Sequence, residues 1–244
     1  MHRLDQFSID DLIGCRDAFR EIRERATSME GAAQEMASYL HQHLVDAEER
    51  PACRLVRVYK SHRVGILPRD LLDSVRADHG DIDDRTRCLT LLGTAGVEAA
   101  WNDRHASQGH KAIPLMTADA VERSPMILGL IEQLGLDVAT VVDPDQQREL
   151  MGMHHKDYDV FFVPDAHGSP LVPAQDGFVV PYDVRSVVGC GGVLPSGDLF
   201  ALILFVGLRL DAKTADLFRT LALSVKATLV PFTFRVFDDA VAAG

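Results

Sequence analysis

"RSVVGCGGVLPSGDLFALILFVGLRL", residues 185–210, is two apolar runs separated by "LPSG" at 194–197. Short apolar runs bounded by Pro and Gly read as strands, and the tight punctuation makes them a β-hairpin of buried strands. The period then changes. In "DAKTADLFRTLALSVKATLV" (211–230), Phe218, Leu221, Val225 and Leu229 step by three and four. That spacing predicts a helix with Asp211 as its cap and Pro231 as its end or kink.

Working back from this hairpin, "CRLVRVYKSH" (53–62) alternates and is rich in β-branched and aromatic residues, so it reads as a strand. "RCLTLLGTAG" (87–96) is another. "DVFFV" (159–163) is a third, followed by irregular chain stiffened at Pro164, Pro170, Pro173 and Pro181. "DVATVV" (137–142) reads as a short strand. Helices are marked by their ends. Ser8 caps "IDDLIGCRDAFREIRERA" (9–26), and Thr27 with Glu30 fits a capping box opening "EGAAQEMASYLHQHL" (30–44). Gly80 closes "LPRDLLDSVRADHG" (67–80). Ser124, Pro125 and Gly135 bracket "SPMILGLIEQLG" (124–135). Strands lie next to one another with helices at both ends, which is not regular βα alternation. The expected class is α+β, a central antiparallel sheet with flanking helices.

The first helix carries Leu12, Cys15, Phe19, Ile22, Ala26 and Met29 at coiled-coil spacing. It reads either as an amphipathic helix packed on its own domain or as a dimer helix. Residues 1–30 are therefore taken as an N-terminal helical extension, 31–235 as the main domain and 236–244 as a tail. A homodimer would use the helices around Leu12 to Met29 and Phe218 to Leu229.

The 244 residues are 47% hydrophobic, enough for a substantial core, and the net charge of −11 excludes a general nucleic-acid or anionic-membrane binder. The longest apolar run, "LFALILFVGL" (199–208), falls short of the roughly 18 residues a membrane helix needs. "MHRLDQFSIDD" lacks the apolar core of a signal peptide. Cys15, Cys53, Cys88 and Cys190 form no CxxC pair and read as reduced and mostly buried. A cytoplasmic protein is expected.

The segment from about Asp176 to Val230 resembles the end of a GAF domain. Arg185-Ser186 precedes an apolar strand, Gly197 lies in the turn, and Leu221-Ala222 and Val225 carry the rhythm of the closing helix. The similarity extends over most of residues 8–231, through "CRLVRVYKSH", "WNDRHASQGHKAIPL" and "VERSPMI". The resemblance implies a GAF-like sensory region of bacterial signalling proteins, of the kind that precedes histidine kinase, PAS or cyclase modules. Such a domain binds a small molecule or a partner domain and passes the change through its terminal helices. The resemblance leaves ligand and cofactor unnamed. No kinase or cyclase motif occurs before Gly244, as expected of a stand-alone sensor or a piece of a longer protein.

"WNDRHASQGHKAIPL" (101–115) concentrates polar equipment between two apolar stretches. A segment leaving one strand and re-entering core at Ile113 must cross the sheet or cover its edge. In a GAF-like sheet it is placed to border a pocket. Trp101 offers an aromatic wall, and Asn102, Arg104, Ser107 and His110 offer convergent polar groups, opposite Phe161, Phe162 and Tyr182. Arg104 is the expected anchor for an anionic ligand. The bland alternative is that these side chains tie down a long loop. Asp103, His105 and His110, with His154 or His155, contain metal-binding atoms but match no ligand signature, so no metal is assigned. Cys190 in "GCGG" resembles a nucleophile loop, yet its flanks make it a strand interior without a local base. No catalytic residue is assigned. An enzyme using Cys190 or His110 is the rival reading, and a ligand-free dimerisation module the third.

Overall fold

The computed structural model describes residues 1–107, 109–142 and 159–238. The hairpin forms as its sequence predicts. Strands β5 (Ser186–Val193) and β6 (Leu199–Val206) pair antiparallel, with Gly197 at φ 82° in the turn, a conformation that glycine adopts without strain. β1 (Cys53–Arg63) and β2 (Arg87–Gly96) join them, as do the edge strands β3 (Ala112–Leu115) and β4 (Asp159–Val163). The result is one antiparallel six-stranded sheet in the order β3-β2-β1-β6-β5-β4. With helices on both faces this is an α+β architecture.

Strand alternation divides the core in two. The inner face presents Val56, Val58, Leu202 and Leu204 to helices α1 (Ile9–Arg25), α2 (Met29–His43) and α7 (Ala212–Leu229). Helix α3 (Arg69–His79) adds Leu71 and Val75 to this cluster. The outer face presents Leu55, Tyr59, Leu91, Ile203 and Phe205. It is covered by α4 (Ala118–Glu122), α5 (Pro125–Gln133) and α6 (Val138–Val142), and by Ala166, Val172, Val179 and Val184 of the segment that follows β4. The small residues of "GCGG" set this packing. A Cβ on Gly191 would meet Leu134 at 2.9 Å and the Phe200 carbonyl at 2.4 Å, so only glycine lets α5 lie this close.

Caps act largely where the sequence places them. Ser8 and Asp11 form a reciprocal capping box on α1, and Asp211 accepts from Thr214 N at 2.7 Å on α7. Three expectations change. Helix α2 is capped by Ser28, which accepts from Gly31 N at 2.8 Å, because the Glu30 carboxylate of the expected Thr27 box is drawn to Arg104 instead. Ser124 holds the cap position of α5 but makes no capping bond. "DVATVV" is helix, not strand: Asp137 accepts from Thr140 N at 2.9 Å and turns the chain at once into α6.

The seam expected of a dimer helix is inside the chain. Leu12, Cys15, Phe19 and Ile22 are buried, as are Phe218, Leu221, Val225 and Leu229, and α1 packs on α7. Met29 belongs to α2, since the chain turns after Ala26. The large apolar side chains left exposed on these helices are Ile9 and Ile13 on α1 and Leu223 on α7. After α7 the chain returns as a strap. Met29 N and Glu30 N donate to the Arg235 and Val236 carbonyls at 2.9 and 2.8 Å, and Phe237 is buried on the inner face. Residues 239–244 of the expected tail lie outside the described residues.

Candidate functional site

The 101–115 segment covers the sheet edge. β3 pairs with β2 only from Arg87 to Thr90, leaving the second half of β2 without a strand neighbour on that side. Side-chain amides take its place. Gln34 donates to Thr94 O at 2.8 Å and accepts from Thr94 N at 3.1 Å. Asn102 likewise accepts from Gly96 N at 3.1 Å and donates to Gly96 O at 3.0 Å. Asn102 is thus an edge cap, satisfying backbone groups that an open edge would expose.

The rest of the expected set is divided between the two faces. Trp101 leans over Gly96 on the outer face and packs against Tyr182 and Phe178 at centroid distances of 4.7 and 5.6 Å, with Phe205 beside Phe178. Tyr182 and Trp101, expected on opposite sides of a pocket, are in direct ring contact. Phe161 is buried in the outer core one row away, whereas Phe162, its strand neighbour, points to the inner face. Arg104 also lies on the inner side. It is 2% exposed and binds Glu30 and, at 2.6 Å, Asp70, with His105 at 3.2 Å and the Phe237 ring 5.9 Å away. Burial opposes its charge, but the two carboxylates outweigh that and raise its pKa. Arg104 is a clamp between α2, α3 and the strap, with its charge already answered.

Ser107 and His110 lead to a residue the sequence reading passed over. Arg57 is 7% exposed in the middle of β1. Its Nη1 donates to Tyr59 Oη at 3.0 Å and Gly109 O at 3.5 Å, and its Nη2 to Ser107 Oγ at 3.3 Å. All three acceptors are neutral and two bonds are long. Among the described residues no carboxylate pairs with it. Arg57 Nε has no hydrogen-bond partner, and neither has Thr94 Oγ1. Thr94 is the cross-strand neighbour of Arg57 and is fully buried. Paired residues share a face with Cβ atoms about 5 Å apart, so the two orphaned groups stand side by side on the outer face. His110 sits at the rim, with φ 54° and its carbonyl accepting from Tyr59 Oη at 3.1 Å. Although the residue has open surface, crowding of its ring and then the Arg57 charge hold its pKa below the ordinary value. The signal was present in "LVRVY", a cation inside a strand whose neighbours are all apolar.

Cys190 faces the inner core and is fully buried, and burial pushes its thiol far up, the opposite of what a nucleophile needs. All four cysteines are free and buried. Among the described residues no three His, Cys, Asp or Glu side chains gather as metal ligands. Asp103 instead caps His105 N at 2.8 Å, and His154 and His155 lie outside the described residues. Among the described residues no helix is long and apolar enough to cross a membrane.

No protein-family model matches the chain. No curated protein matches it either. Among solved structures it is similar to a free methionine-R-sulfoxide reductase from Neisseria meningitidis in complex with its substrate: 15% identity, 95% of this chain and 98% of that chain covered, TM-score 0.46. It is also similar to the GAF domain of a phosphoenolpyruvate-protein phosphotransferase from Acinetobacter (13% identity, 91% and 94% covered, TM-score 0.43). The phycocyanobilin-bound GAF domain of a cyanobacterial phytochrome is a third (10% identity, 90% and 96% covered, TM-score 0.43). At this distance nothing of those proteins' ligands or chemistry passes to the present chain.

Proposed function

We propose that the chain is a cytoplasmic GAF-like sensory domain that takes a small molecule on the outer face of its sheet. The ligand lies over Arg57 and Thr94, next to the Trp101–Tyr182 aromatic cluster. The observation that carries this reading is the pair of orphaned, buried polar groups on adjacent strands. Native structures leave few such groups unpartnered, and a bound molecule is one way of satisfying them. β1 links this face to the helices, since Val56 and Val58 on its other side pack into the inner core with α2 and α7. A ligand that prefers one setting of β1 biases the packing of α1 on α7 and so the output module beyond, a histidine kinase, PAS or cyclase unit. A homodimer belongs to the same reading, through the outward Ile9, Ile13 and Leu223 rather than the buried seam.

Native mass spectrometry of protein purified from its own host tests the central claim. A retained small molecule, lost from an Arg57→Gln variant, is expected. Protein that carries no added mass, and whose Trp101 fluorescence is unchanged after stripping by gentle unfolding and refolding, would count against it.

A further inference from the structure

We infer that the ligand of the outer face is a small organic monocarboxylate with an apolar or aromatic body, held by Arg57 and Thr94. The inference rests on the sensory reading above and narrows it. Its first support is charge. Other buried cations of this molecule have a carboxylate: Arg104 has Glu30 and Asp70, and Lys60 and Arg87 share Asp198. Arg57 alone among these four is buried on neutral acceptors. A desolvated cation without a counter-charge is costly, and one negative charge would answer it.

Geometry is the second support. Nε and Nη2 lie on the same edge of a guanidinium, the edge that grips two carboxylate oxygens side-on. In Arg57, Nε is unpartnered and Nη2 makes only the 3.3 Å bond to Ser107. Thr94 Oγ1, also unpartnered, adds a hydroxyl donor from the neighbouring strand. A water molecule could accept one of these bonds, but it brings no charge.

The third support discriminates between anions. A phosphate monoester carries about −1.5 to −2 at neutral pH and would over-compensate a single guanidinium. At the rim, crowding and then the Arg57 charge lower the pKa of His110, which opposes a second positive charge there. On the side away from Ser107 and His110 the neighbours are apolar or aromatic: Leu55 and Phe205 lie one row along the strands, Ile203 pairs with Arg57, and Trp101 and Tyr182 stand at the end of the row. Such a wall suits the body of an organic acid and not a sugar phosphate.

Trp101 is the only tryptophan in the chain, so its fluorescence reports on this face. The probes are acetate, benzoate, phenylacetate and 3-phenylpropionate, with phenylacetamide as the neutral isostere and phenyl phosphate as the dianion. At least one aromatic acid is expected to shift the Trp101 emission saturably at millimolar concentration. The amide and the phosphate should bind about tenfold more weakly or worse, the scale of one lost charge-assisted contact. Arg57→Gln should abolish the response. Should that variant not fold, Thr94→Val, which removes only the hydroxyl, should weaken the acid several-fold while the empty protein melts no lower than before. Equal binding of amide and acid, or no response to any of the four acids, overturns the assignment. If native mass spectrometry then finds a neutral molecule, the ligand-binding reading survives alone. If it finds nothing, both fall.

Discussion

Arg104 and Arg57 are each more than nine-tenths buried, and they lie on opposite sides of one sheet. The inner arginine is finished: two carboxylates, an imidazole and an aromatic ring surround it. The outer arginine is unfinished, with neutral acceptors and an idle Nε beside an idle hydroxyl. The difference teaches that a buried charge by itself does not mark a site. Completing the inventory of its partners does. The contrast belongs to the two arginines and not to their whole faces, since His62 Nε2 on the inner side is also buried without a partner.

The largest expected effect breaks the inner arginine. Arg104→Met leaves Glu30, itself 7% exposed, without its counter-charge. Removing one member of a buried ion pair destabilises by about 3–5 kcal/mol. Urea unfolding should report this, with Glu30→Gln close behind. A loss under about 1 kcal/mol would mean that the clamp is dispensable and the contrast between the faces is overdrawn.

Acid should act on the inner face next. His62 is 1% exposed, with Nδ1 on Thr90 Oγ1, its ring 5.2 Å from Phe237, and Nε2 without a partner. Burial, then the Lys60 charge, lowers its pKa to about 3, with Asp198 opposing and Arg87 reinforcing. The unfolded imidazole titrates near the ordinary value of about 6.5. The folded pKa is the depressed one, so the stability due to neutral His62 is fully present above about pH 6.5. It falls as the pH drops through that value and continues to fall toward about 3. The slope approaches about 1.4 kcal/mol per pH unit for one proton. Denaturation midpoints measured from pH 7 to 4 should decline, and His62→Gln should flatten the decline. An equal slope in the variant would assign the acid sensitivity to other groups.

Below these comes the strap. Phe237→Ala removes a ring packed on His62 and Arg104, and should cost about 3 kcal/mol, the lower end of the range for a buried aromatic because a segment outside the sheet can collapse. Amide exchange should quicken at Met29 and Glu30, which donate to the strap. If exchange there is unchanged while global stability falls, the strap is an ordinary part of the core.

Much of the fold is legible in the sequence. Hairpin, helices and most caps carry local signals: Gly197 in the turn, Asp211 and Ser8 at helix starts, the switch from period two to period three and four. What was missed is mostly tertiary, with one local exception. "DVATVV" is β-branched, and only the Asp137 cap tells its helix from a strand. The coiled-coil spacing in α1 was real, but spacing cannot say whether the partner is α7 of the same chain or another copy. At the site, the richness of "WNDRHASQGH" drew attention to residues that mostly fasten an edge. Asn102 replaces a missing strand and Arg104 reaches through to α2. Arg57 was overlooked because it stands alone in an apolar run, and its lack of a carboxylate is a fact of three dimensions.

The smallest effect is the sharpest discriminator. Thr94→Val exchanges a hydroxyl for a methyl of nearly the same size. If Thr94 Oγ1 is truly idle in the empty protein, the folded state already bears the desolvation of that group, on the order of 1–3 kcal/mol, with no bond in return. Removing the hydroxyl should then leave the melting temperature unchanged or raise it by a few degrees. The same logic gives Arg57→Met an effect of opposite sign to Arg104→Met, since a methionine fills the space of the stem and removes an unanswered charge. Calorimetry on stripped protein measures both. A Thr94→Val variant that lost more than about 1 kcal/mol would show that the hydroxyl is satisfied in the empty state by ordered water. Arg57 would then stand beside a satisfied hydroxyl, and the distinction between the two arginines would lose its functional meaning.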